Sequence, residues 1–358
     1  MKPLGLGIIG LHHQHPRWYH PLWDNLPQYK PVAVAEPDEP FLKASNDEFF
    51  HLNAYTDYHQ LLERKDVDVV IIWTPHTQMP QVVADATAAG KHVIVEKPCC
   101  ADLAGARRIV EAAKKHPKLK IAAPYCWRAH PVTPHLRQAV QAGLLGEVRA
   151  AEGRLNAGGA HRYIRDNCPW MLLNSERGGA MWNLGVHWID YLRWMTGREI
   201  VRVSGQATRM AGGPQREIED VGQALLTFDN GAVAFVEASY SLPDSYPGKR
   251  DVAISLRGNV GDAVWNPAWE GVVDKLLLVS EAAHVPPSDR CKTLEITSKF
   301  YPGYCGHMGI NFLTDFAEAI RDDRPPMVAP DDILGAVRVA DAFYRSVASG
   351  KTEKVESN

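Results

Sequence analysis

Along the first 125 positions, short apolar runs alternate with longer amphipathic ones. Residues 6–9, 31–35, 67–73, 92–95 and 120–123 are apolar or β-branched and are bounded by glycine, proline or charge, which predicts strands buried on both faces. Between them, 59–65, 79–89 and 103–115 place apolar residues at helical spacing, and Gly90 stands where a helix C-terminus takes glycine. Strand–helix alternation at this spacing predicts an α/β, doubly wound parallel sheet of Rossmann type. The pattern changes after Pro124. Helices are predicted over 133–142 and 180–195 and a strand over 147–156. Alternating runs follow at 200–210, 221–228, 232–241, 251–256, 275–279 and 293–297, with Asp229-Asn230-Gly231 as hairpin chemistry. Helices over 310–321 and 332–349 close the chain. The expected architecture is a nucleotide-binding domain, 1–125, and an α+β domain, 126–358, built on a large, open, mostly antiparallel sheet. The final helix is free to pack back on the first domain. The polar tail 350–358 is expected to fray.

Composition narrows the class. The 358 residues suit two domains, and 45% hydrophobic with 23% charged residues is ordinary globular usage. A net charge of −3 gives no electrostatic reason for a nucleic-acid or membrane partner. No run approaches 18 apolar residues, so no spanning helix is expected. The six cysteines form no C-x-x-C pair, which fits reduced thiols and a cytoplasmic location.

Gly5-x-Gly7-x-x-Gly10 resembles a dinucleotide fingerprint, but its register is misleading. Binding pyrophosphate requires the first glycine at the strand's end, and Gly5 and Gly7 fall inside the strand. The turn begins at Gly10, with Leu11 next, which puts His12 and His15 at the second and third fingerprint positions. Histidine tolerates positive φ better than most residues, and its ring can donate to phosphate. Glu36, after the second strand, stands where a carboxylate takes ribose hydroxyls and repels a 2′-phosphate, which favours NAD over NADP.

From Tyr55 onward further strings accumulate: Tyr55-Thr56-Asp57-Tyr58, Thr74-Pro75, and Gly90-Lys91-His92-Val93 leading to Glu96-Lys97-Pro98. Later come Gly178-Gly179-Ala180 and Asn183-x-x-x-His187-x-x-Asp190. These resemble the Gfo/Idh/MocA oxidoreductases across essentially the whole chain. The resemblance implies a Rossmann domain followed by an open-sheet domain, with the nicotinamide between them. The substrate would be a sugar, cyclitol or polyol, and the assembly a homodimer or homotetramer formed through the C-terminal sheet. The expected cofactor contacts are Gly10, Leu11, His12, His15, Glu36, Thr74, Pro75, His76, Glu96 and Lys97.

Oxidising a secondary alcohol needs a base for the hydroxyl proton and an acceptor for hydride. The resemblance assigns the base to His187 and the polarising ammonium to Lys97. Asn183 replaces the family's usual aspartate. Four positions from His187, it shares a helix face with it and can hydrogen-bond a hydroxyl without accepting a proton. Asp190, three positions beyond His187, reads equally as a residue that orients its ring and as an exposed helix aspartate. Met79 stands where many relatives have histidine, and His76 is expected near the nicotinamide ribose. Arg128, Arg162, Tyr163 and Trp170, with Asn183 and His187, are expected to line the substrate pocket. The histidines around the first turn fit no known metal-ligand spacing, so no metal is expected. Two other readings stay open: an enzyme that keeps its NAD and eliminates a sugar substituent through transient oxidation, and a non-catalytic sugar- or nucleotide-binding protein.

Overall fold

The computed structural model describes residues 2–267 and 273–357. The chain packs as two compact units: Met1–Cys126 with Tyr163–Arg177 and Tyr301–Leu334, and Trp127–Arg162 with Gly178–Phe300 and Gly335–Asn358. Two segments expected with the second domain, 163–177 and 301–334, therefore belong with the first unit. The last helix, Pro330–Ser349, crosses the division. No helix among the described residues is long and apolar enough to cross a membrane.

The first unit holds a parallel sheet of six strands: β1 (Leu4–Ile9), β2 (Tyr29–Ala35), β3 (Asn53–Tyr55), β4 (Val69–Ile72), β5 (His92–Val95) and β6 (Ile121–Ala122). Their order is β3-β2-β1-β4-β5-β6. The winding reverses between β1 and β4, and in open α/β sheets ligands bind beyond the strand ends at that point. β4 is buried at every position, as a central parallel strand requires. Gly5 and Gly7 serve this packing: a Cβ on Gly5 would lie 1.7 Å from the Asp66 carbonyl oxygen, and one on Gly7 2.6 Å from Leu61. Gly10, the first residue past β1, has φ +87°. β3 has three residues, none fully buried, so it carries no apolar signature in the sequence. From the later segments, helix His307–Arg321 docks on this sheet, and the Tyr29 hydroxyl donates to the Leu313 carbonyl at 2.7 Å.

The second unit is built on nine strands: β7 (Val148–Gly158), β8 (Ile200–Thr208), β9 (Val221–Phe228), β10 (Val233–Leu242), β11 (Arg250–Gly258), β12 (Gly261–Trp265), β13 (Val273–Ser280), β14 (Cys291–Thr297) and β15 (Glu353–Lys354). Their order is β14-β13-β12-β11-β7-β10-β9-β8-β15, antiparallel except for the parallel β7–β10 pair. Ala224, Leu226, Ala234 and Val236 turn inward, while Leu225, Val233 and Phe235 stand on the open face. Two elements escape the sequence pattern. β12 is five residues long and ends at Trp265, whose indole N–H donates to the buried Asp274 at 2.8 Å. β15 ties down the tail expected to fray, pairing with β8, and the Val355 amide reaches the Val201 carbonyl at 3.0 Å. Asn358 lies outside the described residues.

Candidate active site

In the first unit the residues gather on the loops that follow β1, β2, β4 and β5. Gly10 cannot carry a side chain, since its Cβ would sit 2.7 Å from the Thr74 amide nitrogen. The chain then turns at Leu11, whose N–H donates to Glu36 Oε2 at 2.7 Å, while the Asp38 N–H reaches Glu36 Oε1 at 3.2 Å. Glu36 is thus buried and braces two turns, and each of its oxygens keeps a second lone pair for a hydroxyl donor. Asp38, which sequence reasoning missed, is the more exposed carboxylate here.

The two histidines of the turn do not face a common point. His12 stacks on Phe41 with ring centres 4.0 Å apart, and its nitrogens lie 3.2 Å from the Asn167 carbonyl and 3.3 Å from Asp38. His15, expected along the pyrophosphate turn, points inward instead: it is 3% exposed, packs on Tyr304 at 4.1 Å, and brings Nδ1 to 3.0 Å from Glu96 Oε2. Its large ring is accommodated by the aromatic cluster beneath the turn. His13, also missed, is buried behind it, with Nδ1 accepting the His15 amide N–H at 3.0 Å. Burial holds His13 well below the ordinary histidine pKa, aided by the nearby His15.

Glu96 is the first residue past β5 and is 1% exposed. It accepts the Trp73 indole N–H at 3.1 Å, and the Lys97 ammonium lies 3.9 Å from its other oxygen. Burial raises the Glu96 carboxyl pKa, and Lys97 opposes that rise. Lys97 itself is 4% exposed. Pro75 turns the chain after β4, its carbonyl accepting the Gln78 amide at 2.9 Å ahead of helix Met79–Ala88. Met79 is fully buried. His76 is also fully buried, with Nδ1 2.5 Å from the Glu176 carbonyl.

The predicted substrate loop is divided between the units. Tyr163 and Trp170 belong to the first. Tyr163 is wholly buried, and Trp170 donates to the His12 carbonyl at 2.6 Å and packs edge-on against His76 at 5.0 Å. Both are therefore engaged within that unit. Arg162 belongs to the second unit, where its guanidinium lies 4.6 Å over the Tyr240 ring and donates to the Gly158 carbonyl.

In the second unit Asn183 sits in a π-helical turn, Met181–Gly185, that runs into helix Val186–Thr196 with His187 in its first turn. The helix expected over 180–195 is continuous but opens with a π-turn, which changes the spacing between these two residues; such π-turns are frequent at functional sites. Asn183 Nδ2 donates to the Tyr240 hydroxyl at 2.9 Å, and that hydroxyl donates to the Gly178 carbonyl at 2.8 Å. Tyr240 gave no signal beyond its place in an alternating strand. His187 is 6% exposed.

Arg128 and Asp190 form a buried pair. Arg128 Nε and NH2 bind the two Asp190 oxygens at 2.8 and 2.5 Å, with both residues buried. The pair braces Arg128 against the helix that carries His187. Among the described residues, no group of three or more His, Cys, Asp or Glu side chains is placed to hold a metal.

The loops of the first unit suit a dinucleotide. Thr74 Oγ1, His76 Nε2 and Gln14 Oε1 are buried without hydrogen-bond partners among the described residues, and buried polar atoms left open in this way imply a ligand or water. With Glu36 they offer acceptors for hydroxyl and amide donors.

Comparison with known proteins decides the family. Residues 4–123 match the oxidoreductase family with NAD-binding Rossmann fold, and 134–264 match the GFO/IDH/MocA C-terminal domain. The rhizopine catabolism protein MocA of Rhizobium meliloti is 30% identical over 86% of this chain and 84% of its own. The chain belongs to the Gfo/Idh/MocA oxidoreductases. The scyllo-inositol 2-dehydrogenase (NAD(+)) of Bacillus subtilis is 25% identical over 97% of this chain and 93% of its own. A levoglucosan dehydrogenase, solved in complex with NADH, shares the fold with a TM-score of 0.83 at 20% identity, covering 99% of this chain and 100% of its own. The protein is thus an NAD-binding oxidoreductase, with a Rossmann-type parallel sheet in one unit and a large, mostly antiparallel sheet in the other.

Proposed function

We propose that this oxidoreductase transfers hydride between NAD and a secondary hydroxyl of a sugar, cyclitol or polyol. The observation that carries the reading is Lys97, an almost wholly buried ammonium loosely paired with a buried carboxylate at the end of β5. Nicotinamide, when bound, accepts or returns the hydride. Lys97 steadies the developing alkoxide. His187 exchanges the hydroxyl proton, a role suited to an imidazole. Asn183, oriented through Tyr240, holds a substrate hydroxyl without taking its proton. The names of the inositol and levoglucosan dehydrogenases support this substrate class.

Calorimetry of the purified protein with NAD and NADP tests the cofactor, and NADH absorbance across a polyol panel tests the reaction. NAD binding with steady NADH formation is expected. Binding of neither nucleotide would sink the reading.

Retention of NAD through a transient oxidation is the second reading. The segment 163–177 favours it, because Trp170 and Glu176 bond across the loops that follow β1 and β4. Substrate cleavage without net NADH would select it. A homodimer or homotetramer through the open sheet face is part of the proposal. Phe235 and Leu225 are direct cross-strand partners there and both are exposed. A monomer in sedimentation experiments would remove it.

A further inference from the structure

His76 is a buried histidine whose two nitrogens have different fates. Nδ1 faces the Glu176 carbonyl at 2.5 Å. A carbonyl only accepts, so Nδ1 carries a proton. Burial is the main influence on the ring and drops its pKa to about 4, with Lys97 pushing the same way and the Glu176 carbonyl and Glu96 opposing. The ring is therefore neutral at pH 7, with one proton, and Nε2 is a bare lone pair. That lone pair is buried and has no partner among the described residues.

The arrangement is held from one residue. The Glu176 carboxylate accepts the Thr77 amide at 2.9 Å and the Thr77 hydroxyl at 2.7 Å. Its carbonyl and its side chain thus grip two successive residues of the loop after β4. Trp170 closes one edge of the imidazole. Thr74 Oγ1, two residues earlier on the same loop, is a second buried polar atom without a partner. The Nε2 position rejects acceptors and anions and takes an N–H or O–H, while the Thr74 hydroxyl can give or accept.

We propose that Glu176 is a positioning residue that locks His76 as a hydrogen-bond acceptor, its Nε2 receiving a ribose hydroxyl or carboxamide N–H of the bound dinucleotide. The inference rests on the NAD reading and adds the tautomer, the residue that sets it and the donor character of the ligand group.

Long-range proton–nitrogen NMR of histidine-labelled protein reads the tautomer directly, with His76→Gln identifying the resonance. The expected wild-type spectrum shows a protonated Nδ1 and a bare Nε2, with Nε2 shifting when NAD is added. Glu176→Ala keeps the main-chain carbonyl but removes the carboxylate that holds Thr77 beside it, and should weaken the preference for the Nδ1 tautomer, an effect that a merely structural role would not produce. NAD Kd should rise about tenfold in His76→Phe, as for a lost buried hydrogen bond. His76→Gln, whose amide oxygen can stand in for Nε2, should bind within about threefold of wild type. A protonated Nε2 in the wild-type protein overturns the inference, and that result needs no variant. Wild-type protein that binds NAD, with His76→Phe binding it equally, brings down this inference alone. Wild-type protein that binds no NAD brings down the cofactor reading and this ligand assignment together.

Discussion

Each unit buries an ion pair, and the two are built differently. In the second unit Arg128 and Asp190 meet through two parallel N–H···O contacts of 2.8 and 2.5 Å, with neither residue more than 4% exposed. In the first unit Lys97 approaches Glu96 only to 3.9 Å, and Glu96 divides itself among Lys97, the Trp73 indole and His15. A bidentate pair fixes both partners in one orientation. A single contact of 3.9 Å holds the Lys97 ammonium less rigidly to that one carboxylate. Buried cation–carboxylate pairs are thus held in two geometries, bidentate in one unit and at longer range in the other.

The contrast is sharpest when each pair is broken. Removing Arg128 strands a buried carboxylate, so Arg128→Ala should cost about 3–5 kcal/mol in chemical denaturation. The double variant Arg128→Met with Asp190→Leu should recover most of that loss, because it removes both charges. A cost under about 1 kcal/mol for Arg128→Ala would deny the bracing role. Lys97→Met should do the opposite. Its stability should hold or rise, as is common when a functional group is replaced in its site, while kcat on an accepted polyol falls about 10²–10³-fold, the scale for losing one electrostatic stabiliser. NAD Kd measured by calorimetry should stay within about threefold. A large loss of stability with kcat preserved would make Lys97 a second brace.

Acid acts on the first unit through two histidines with strongly lowered pKa values, His13 and His76. The folded-state pKa of His76 is about 4 against an ordinary 6.5. The unfolded chain therefore takes the proton first as pH falls. The His76 contribution is intact above pH 6.5, declines between 6.5 and 4, and is lost below, a change of up to about 3 kcal/mol. His13 acts in the same direction. Glu96, whose pKa is raised by burial, opposes them by binding its proton more readily in the folded state. The difference between wild type and His76→Gln isolates one group: Gln should flatten the fall between pH 6.5 and 4 in urea denaturation. Parallel curves would show that the His76 pKa is not lowered.

How much of this was legible in the sequence follows the same division. Repeating patterns were readable: the buried parallel strands, the alternation of the large sheet, and the placement of Gly5 and Gly7 inside β1 rather than at the turn. The family strings led to Lys97, Asn183 and His187. Short exposed elements were not readable, since β3 and β15 have no apolar face to announce them. Nor were contacts set by distance in sequence. Glu176 lies a hundred positions from His76, Tyr240 lies 57 from Asn183, and Arg128 lies 62 from the Asp190 that occupies it. His15 misled because a fingerprint position says where the backbone goes, while the side chain went to Glu96.

The smallest effect tests whether Asn183 is held or merely present. The Tyr240 hydroxyl accepts from Asn183 and donates to the Gly178 carbonyl, so Tyr240→Phe removes two hydrogen bonds while keeping the ring under Arg162. The two buried groups left behind make a loss of about 1–2 kcal/mol the expected cost. Because Tyr240 acts on substrate only through Asn183, KM should rise about three- to fivefold while kcat stays within about twofold, the pattern of lost uniform binding. NAD affinity, which belongs to the first unit in this reading, should not move. A fall in kcat at constant KM would instead put the Tyr240 hydroxyl against the reacting atoms, and Asn183 would then be the residue that positions Tyr240 rather than the reverse.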